Sequence, residues 1–113
     1  MKAVHLICRD DEETKRPKGI IKIEGDNQYT SEAWDFDPEK AASLVGGQIL
    51  FHRTKADKSF FGGKVTAFEE INREDLAREE RIKFTFTATL EAKNQPWRGT
   101  DHTMAWTSGI IEV

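Results

Sequence analysis

Residues 82–90 carry the most regular pattern in the sequence. Apolar side chains occupy every second position, with lysine and threonine between them: Ile82, Phe84, Phe86, Ala88 and Leu90 alternate with Lys83, Thr85, Thr87 and Thr89. Successive side chains of a strand point to opposite faces of its sheet. The pattern therefore predicts a strand with one face in a hydrophobic core and the other toward solvent, which is typical of antiparallel sheets.

Further segments with strand character lie on both sides of this one. They are residues 2–8, 19–24, 28–36, 48–52, 64–68 and 104–113. The turn-forming sequence Gly-Asp-Asn at 25–27 predicts that residues 19–36 form a hairpin. The charged segment 9–18 contains Pro17 and is predicted to be a solvated loop, with a flap over a site as the alternative.

The segment 37–45 has the features of a short helix. Asp37 can accept hydrogen bonds from the N–H groups of the first turn, and Pro38 suits the first helical position. The apolar positions that share one helix face are Ala41, Leu44 and Val45. A second short helix, capped by Asn72, is predicted for residues 72–78.

Six or seven strands and one firm helix limit the choice of fold. A parallel sheet built from βαβ units would need a helix between most strands, and the sequence has too few. The 113 residues are the usual size of one domain. We therefore predict a single α+β domain over residues 1–113, with a mostly antiparallel, strongly curved sheet or small β-barrel and the helix plugging one end.

Composition narrows the functional classes. The net charge of −3 argues against a general, sequence-blind nucleic-acid binder. The sequence has no run of 18 apolar residues and no signal peptide, so we expect a cytoplasmic protein with no membrane partner. The one cysteine, Cys8, lies in an apolar run and is interpreted as a buried small side chain rather than a reactive thiol.

The stretch 46–65 differs in charge from the rest of the chain. It predicts a strand, a loop with Arg53, Lys55 and Lys58, and a second strand. A basic loop in an acidic protein is a candidate binding feature, and a solvated hairpin loop is the alternative. The glycine pair at 62–63 indicates close approach by another backbone or a ligand, or a β-bulge.

Signatures of metal, cofactor and nucleophile sites are missing from the sequence. His5, His52 and His102 are far apart in the chain and do not have the spacing of a metal site, although they could meet in space. The glycine pairs lack the pattern of a phosphate-binding loop. We expect no metal and no cofactor.

Aromatic residues beside polar neighbours favour a binding function. Trp34, Trp97 and Trp106 each have charged or polar neighbours, and Arg98 follows Trp97 directly. Aromatic rings next to cations suit a flat base, by stacking together with a phosphate contact. The alternative is that these tryptophans pack in the core or at its rim.

The sequence LVGGQILFHRTKADKSFFGGKVTAFEEI resembles the central part of PUA-like domains, the superfamily that contains the ASCH, EVE and YTH groups. The resemblance implies a PUA-like barrel in which a helix leads into a strand, a ligand-proximal loop and a second strand. It also implies binding of RNA or DNA, often at a modified or flipped base. The candidate ligand-binding residues are Trp34, His52, Arg53, Lys55, Lys58, Ser59, Trp97, Arg98, His102 and Trp106.

Three functional hypotheses remain open. The first is recognition of a nucleic acid or nucleotide, with phosphate contacts from Lys55, Lys58 and Arg98. The second is a small hydrolase or nuclease on the same barrel, using Lys55 with an acid such as Glu32 or Asp101. The third is a protein-binding module whose acidic face mimics nucleic acid or docks a basic partner.

Overall fold

Seven strands and one α-helix make up the described part of the chain. The computed structural model describes residues 2–10, 12–34, 36–72, 80–98 and 107–112. The strands are β1 (Lys2–Ile7), β2 (Ile20–Lys22), β3 (Gln28–Trp34), β4 (Gln48–His52), β5 (Phe61–Asn72), β6 (Glu80–Ala88) and β7 (Thr107–Glu112). The helix α1 spans Pro38–Leu44, and a 3-10 helix spans Leu90–Ala92.

All seven strands belong to one sheet with the order β2-β3-β6-β5-β4-β1-β7. Every pairing is antiparallel except that of β1 with β4, which is parallel. The predicted α+β class and mostly antiparallel sheet are confirmed, and so is the hairpin of β2 and β3. Among the described residues β2 and β7 are the two edges and no pairing joins them, so the barrel stays a prediction.

The alternating segment forms β6, an interior strand of the sheet that pairs with β3 and β5. Ile82, Phe84 and Phe86 are buried as predicted, and the intervening lysine and threonines are half-buried. The prediction is wrong for Leu90, which is 84% exposed. The strand ends at Ala88 and the chain enters the 3-10 helix, so the two-residue alternation no longer applies there.

The helix begins as its sequence predicts. The Asp37 side chain accepts a hydrogen bond from the Glu39 N–H at 2.9 Å, and Pro38 occupies the first turn. Ala41 and Leu44 are buried against β1 and β5. Val45 is exposed, contrary to the prediction, because its backbone is extended (φ −59°, ψ 129°) and the helix has already ended.

The main core lies on one face of the sheet, beneath α1. Its buried residues are Val4, Leu6, Cys8, Ala41, Leu44, Ile49, Phe51, Val65, Ile82, Phe84 and Phe86. Cys8 is buried as predicted, and burial raises the pKa of its thiol to about 11. A neutral thiol at physiological pH is a poor nucleophile, so the packing interpretation of Cys8 holds.

Three predicted elements differ from the structure or extend beyond its described part. Asn72 is the last residue of β5, which is much longer than predicted, and residues 73–78 of the predicted second helix lie outside the described residues. Residues 104–106 of the predicted last strand also lie outside them. In the described ranges of the chain, no helix has the length and apolar character needed to cross a membrane.

Candidate functional site

The strands β1 and β4 are buried on both faces, and the two faces differ in chemistry. Val4, Leu6, Ile49 and Phe51 belong to the main core, so the alternate residues point to the opposite, outer face of the sheet. Those outer-face residues are Ala3, His5, Leu50 and His52. His5 is opposite Leu50 in the parallel register, and Ile7 is opposite His52, which makes the two histidines diagonal neighbours.

The segment 89–98 covers this outer face. Ala92 of the 3-10 helix packs on Ala3 and Leu50 in a second small core. It can do so because Gly62 has no side chain, since a Cβ at that position would meet the Ile49 carbonyl and the Ala92 methyl group. Of the interpretations offered for the glycine pair at 62–63, this supports close approach, which here is made by another part of the same chain.

Ser59 clamps the covering segment to the end of the basic loop. Its hydroxyl donates to the Ala92 carbonyl at 2.5 Å and accepts from the Gln95 N–H at 2.9 Å. Its backbone N–H donates to the Gln95 carbonyl, and its carbonyl accepts from the Asn94 N–H, both at 2.8 Å. The Ser59 hydroxyl proton is thus used inside the protein, and the predicted contact of this residue with a ligand stays a prediction.

His5 and His52 form a buried hydrogen-bonded pair. His5 Nδ1 lies 2.7 Å from His52 Nε2, and His52 Nδ1 lies 2.9 Å from the Asp57 carbonyl oxygen. A carbonyl oxygen only accepts hydrogen bonds, so His52 carries its proton on Nδ1 and its Nε2 is the acceptor. His5 Nδ1–H is therefore the donor, and each neutral ring has one defined tautomer.

Both histidines are held in the neutral form. Burial, followed by the neighbouring His52 and Arg98, lowers the pKa of His5 from 6.5 to about 4. Burial also lowers the pKa of His52, although its hydrogen bond to the Asp57 carbonyl opposes the shift. At neutral pH the pair adds no charge to the site.

Trp97 and Lys55 complete the group. The Trp97 ring lies 5.1 Å from the His52 ring and 5.7 Å from the His5 ring, measured between centroids. The Lys55 ammonium nitrogen lies 5.8 Å from the centroid of Trp97. That nitrogen is buried, and no hydrogen-bond acceptor in the described part of the chain contacts it. We refer to His5, His52, Lys55 and Trp97 as the His–Trp cluster.

The other two basic residues of the loop point elsewhere. Arg53 lies over the Phe60 ring at 4.3 Å and forms an ion pair with Asp10 at 3.2 Å, which ties the segment 9–18 to the loop. Lys58 is exposed. Arg98 is also exposed and is close enough to His5 to affect its pKa.

Several other predicted residues lie apart from the cluster or outside the described chain. Trp34 packs at the edge of the main core, on the opposite face from Trp97, and donates from Nε1 to the Ser31 hydroxyl at 2.8 Å. Glu32 is on β3, which β6 and β5 separate from β4, so it is not brought together with Lys55. His102, Trp106 and Asp101 lie outside the described residues.

Sequence reasoning missed His5 as a site residue. Its position between Val4 and Leu6 in a strand does indicate the face opposite the core. The pairing of β1 with β4 is what brings it to His52, and nothing local in either strand predicts that pairing. Among the residues that the structure describes, no group of three or more possible ligands could hold a metal ion.

The cluster offers two kinds of interaction to a ligand. The half-buried Trp97 ring can stack with a flat group, and Lys55 with Arg98 supplies positive charge beside it. The neutral histidines give the ring a rigid, uncharged support. No protein-family model, curated protein or solved structure matches this chain.

Proposed function

We propose that the His–Trp cluster binds a nucleotide or a nucleic-acid segment. The base stacks on Trp97, and Lys55, Arg98 and Lys58 contact phosphate. The observation that carries this proposal is the Lys55 ammonium nitrogen, which is buried beside an aromatic ring and has no hydrogen-bond acceptor among the described residues.

A buried ammonium without an acceptor is costly to the protein. Removing a charged group from water without giving it a hydrogen bond destabilises the folded state, and the attraction to an aromatic ring offsets only part of that cost. An anionic ligand provides an acceptor. Since the ammonium lies beside the half-buried Trp97 ring, a ligand that combines a flat ring with an anion fits better than a simple anion.

A site that makes a few short-range contacts with phosphate is compatible with the acidic net charge of the protein. The net charge of −3 disfavours binding that depends on long-range attraction alone. A few close contacts with a phosphate are less affected by the distant charges, because salt screens interactions beyond roughly 10 Å. The proposal is therefore for a small number of short-range contacts at one site.

The PUA-like assignment belongs to the same proposal. The chain runs from α1 into β4, through the basic loop and into β5, which is the order that the resemblance implies. That order supports the proposal, as does the position of Lys55 within the loop. Closure of the sheet into a barrel and preference for a modified base are the finer parts of the proposal.

The test is a binding titration with labelled single- and double-stranded oligonucleotides, with and without modified bases, at several salt concentrations. Changing Lys55 and Lys58 to Ala should weaken binding and reduce the log–log salt slope by roughly 0.7 to 0.9 for each phosphate that the protein no longer neutralises. Trp97→Ala should cost roughly 1–3 kcal/mol of binding energy with little change in slope, because stacking releases no counterions.

Lys40→Ala provides the matched control for charge removal. Lys40 is exposed on α1, which packs on the core face of the sheet away from the cluster. It should leave both affinity and salt slope unchanged. If the unmutated protein binds none of the oligonucleotides at low salt, the proposal is wrong, and a protein partner for the acidic surface becomes the better hypothesis.

A further inference from the structure

We infer that Lys55 makes the His–Trp cluster selective for nucleotides over nucleosides, because its ammonium nitrogen lies over the Trp97 ring, 5.8 Å from the centroid, until a phosphate draws it away. The inference rests on the proposed function and adds a specificity-determining residue to it. Base stacking and phosphate binding are then one coupled event rather than two independent contacts.

The groups around Trp97 differ in how easily they can move. His5 and His52 are buried in strands and linked to each other and to the Asp57 carbonyl by hydrogen bonds. Lys55 belongs to the loop between β4 and β5, and its side chain is a flexible chain of four carbons. An arriving base can displace the lysine, whereas displacing a histidine would break the buried hydrogen bonds.

The energetic consequence depends on the ligand. A nucleoside that stacks on Trp97 displaces the ammonium from the ring, and the half-buried lysine then has neither the ring nor an anion to offset its desolvation. A nucleotide removes the same interaction but supplies a phosphate, and a hydrogen bond between charged groups is stronger than the interaction it replaces. The ring is therefore less available to uncharged ligands than to phosphorylated ones.

The Lys55→Met variant separates these effects because methionine keeps an unbranched side chain but has no charge. Calorimetric titrations would use adenosine, guanosine, cytidine and uridine, together with their 5′-monophosphates. For the nucleoside that binds, we expect the variant to bind roughly two- to thirty-fold more tightly than the unmutated protein. For the corresponding monophosphate we expect binding roughly ten-fold weaker.

Two further variants assign the effect to the right interaction. Lys40→Met removes an exposed charge from α1, which packs on the opposite face of the sheet, and should leave nucleoside affinity unchanged. Combining Lys55→Met with Trp97→Ala should abolish the gain in nucleoside affinity, because the stacking surface is gone. The opposite signs for nucleoside and nucleotide are the result that a purely structural role of Lys55 would not produce.

The outcomes distinguish this inference from the function on which it rests. If monophosphates bind and Lys55→Met weakens or leaves unchanged the binding of both ligand types, the inference is overturned while the proposed function stands. If neither the nucleosides, the monophosphates nor the oligonucleotides bind, both are overturned. A gain in nucleoside affinity that survives Trp97→Ala also overturns the inference.

Discussion

The two faces of the sheet are covered by segments that are held in place by different kinds of interaction. On the core face, α1 packs on β1 and β5 through Ala41 and Leu44. On the outer face, the segment 89–98 packs on β4 and β5 with a small apolar contact through Ala92. The first cover is held mainly by burial of apolar area, which has no preferred direction. The segment 89–98 is held mainly by hydrogen bonds, which do have a preferred direction.

The difference explains where the candidate site lies. A cover held by apolar packing leaves little room for polar groups, because buried polar atoms must be paired. A cover held by hydrogen bonds can include histidines, an indole and a lysine at defined distances. The outer face of β1 and β4 is therefore the side that can hold polar groups for binding. The stability of its cover should also depend more on pH and on single hydrogen bonds than that of the core-face cover.

The largest expected effect concerns pH. The pKa of His5 is about 4 in the folded protein and 6.5 unfolded, so the unfolded state binds the proton first as the pH falls. The stability that His5 contributes is complete above pH 6.5 and is lost progressively down to about pH 4. The loss should amount to up to about 3 kcal/mol in the free energy of unfolding.

His5→Asn is the variant that isolates this contribution. The Asn side-chain amide can still donate to His52 Nε2, but it does not titrate. Denaturant unfolding curves at several pH values should show a shallower decline below pH 6.5 for the variant than for the unmutated protein. Parallel declines would mean that His5 is not the group responsible, and would remove the pH contrast between the two faces.

A smaller effect is expected from removing the hydrogen bonds by which the Ser59 hydroxyl holds the segment 89–98 on the outer face. Ser59→Ala removes the acceptor of the Gln95 N–H and the donor to the Ala92 carbonyl, and we expect a loss of about 2 kcal/mol in the free energy of unfolding. Trp97 should also lose its fixed position. Ser43→Ala, on the exposed side of α1, is the control and should change stability by less than about 0.5 kcal/mol. Equal losses of stability in Ser59→Ala and Ser43→Ala would show that the hydrogen bonds of Ser59 do not stabilise the outer cover.

The smallest effect is expected at the N-terminus of α1, the helix that covers the core face. Asp37→Ala removes the acceptor of the Glu39 N–H and should cost about 1 kcal/mol, measured as a shift of the denaturation midpoint. Asp37→Asn keeps a side-chain acceptor and should be nearly neutral. A larger loss from Asp37→Ala than from Ser59→Ala would reverse the comparison, because it would place the stronger polar dependence on the apolar face.

Local chemistry made part of this protein predictable from its sequence. The burial of Ile82, Phe84 and Phe86 follows from alternation within one strand, and the start of α1 follows from Asp37 and Pro38. The burial of Cys8 follows from its apolar neighbours. Each of these features depends on residues within a few positions of one another, which is the range over which sequence patterns act. Three of the four residues of the His–Trp cluster, His52, Lys55 and Trp97, were recognisable as candidate site residues from their own chemical character.

The assembly of the site depended on tertiary structure. His5 reaches His52 only because β1 pairs in parallel with β4, across 47 positions of sequence. The basic loop looked uniform in sequence, yet Arg53 turns to Asp10 while Lys55 turns to Trp97. Trp34 and Trp97 were both predicted to bind the ligand, yet they lie on opposite faces of the sheet. Strand partners and loop directions are decided by contacts between distant segments, and those contacts form only when the whole sheet is in place.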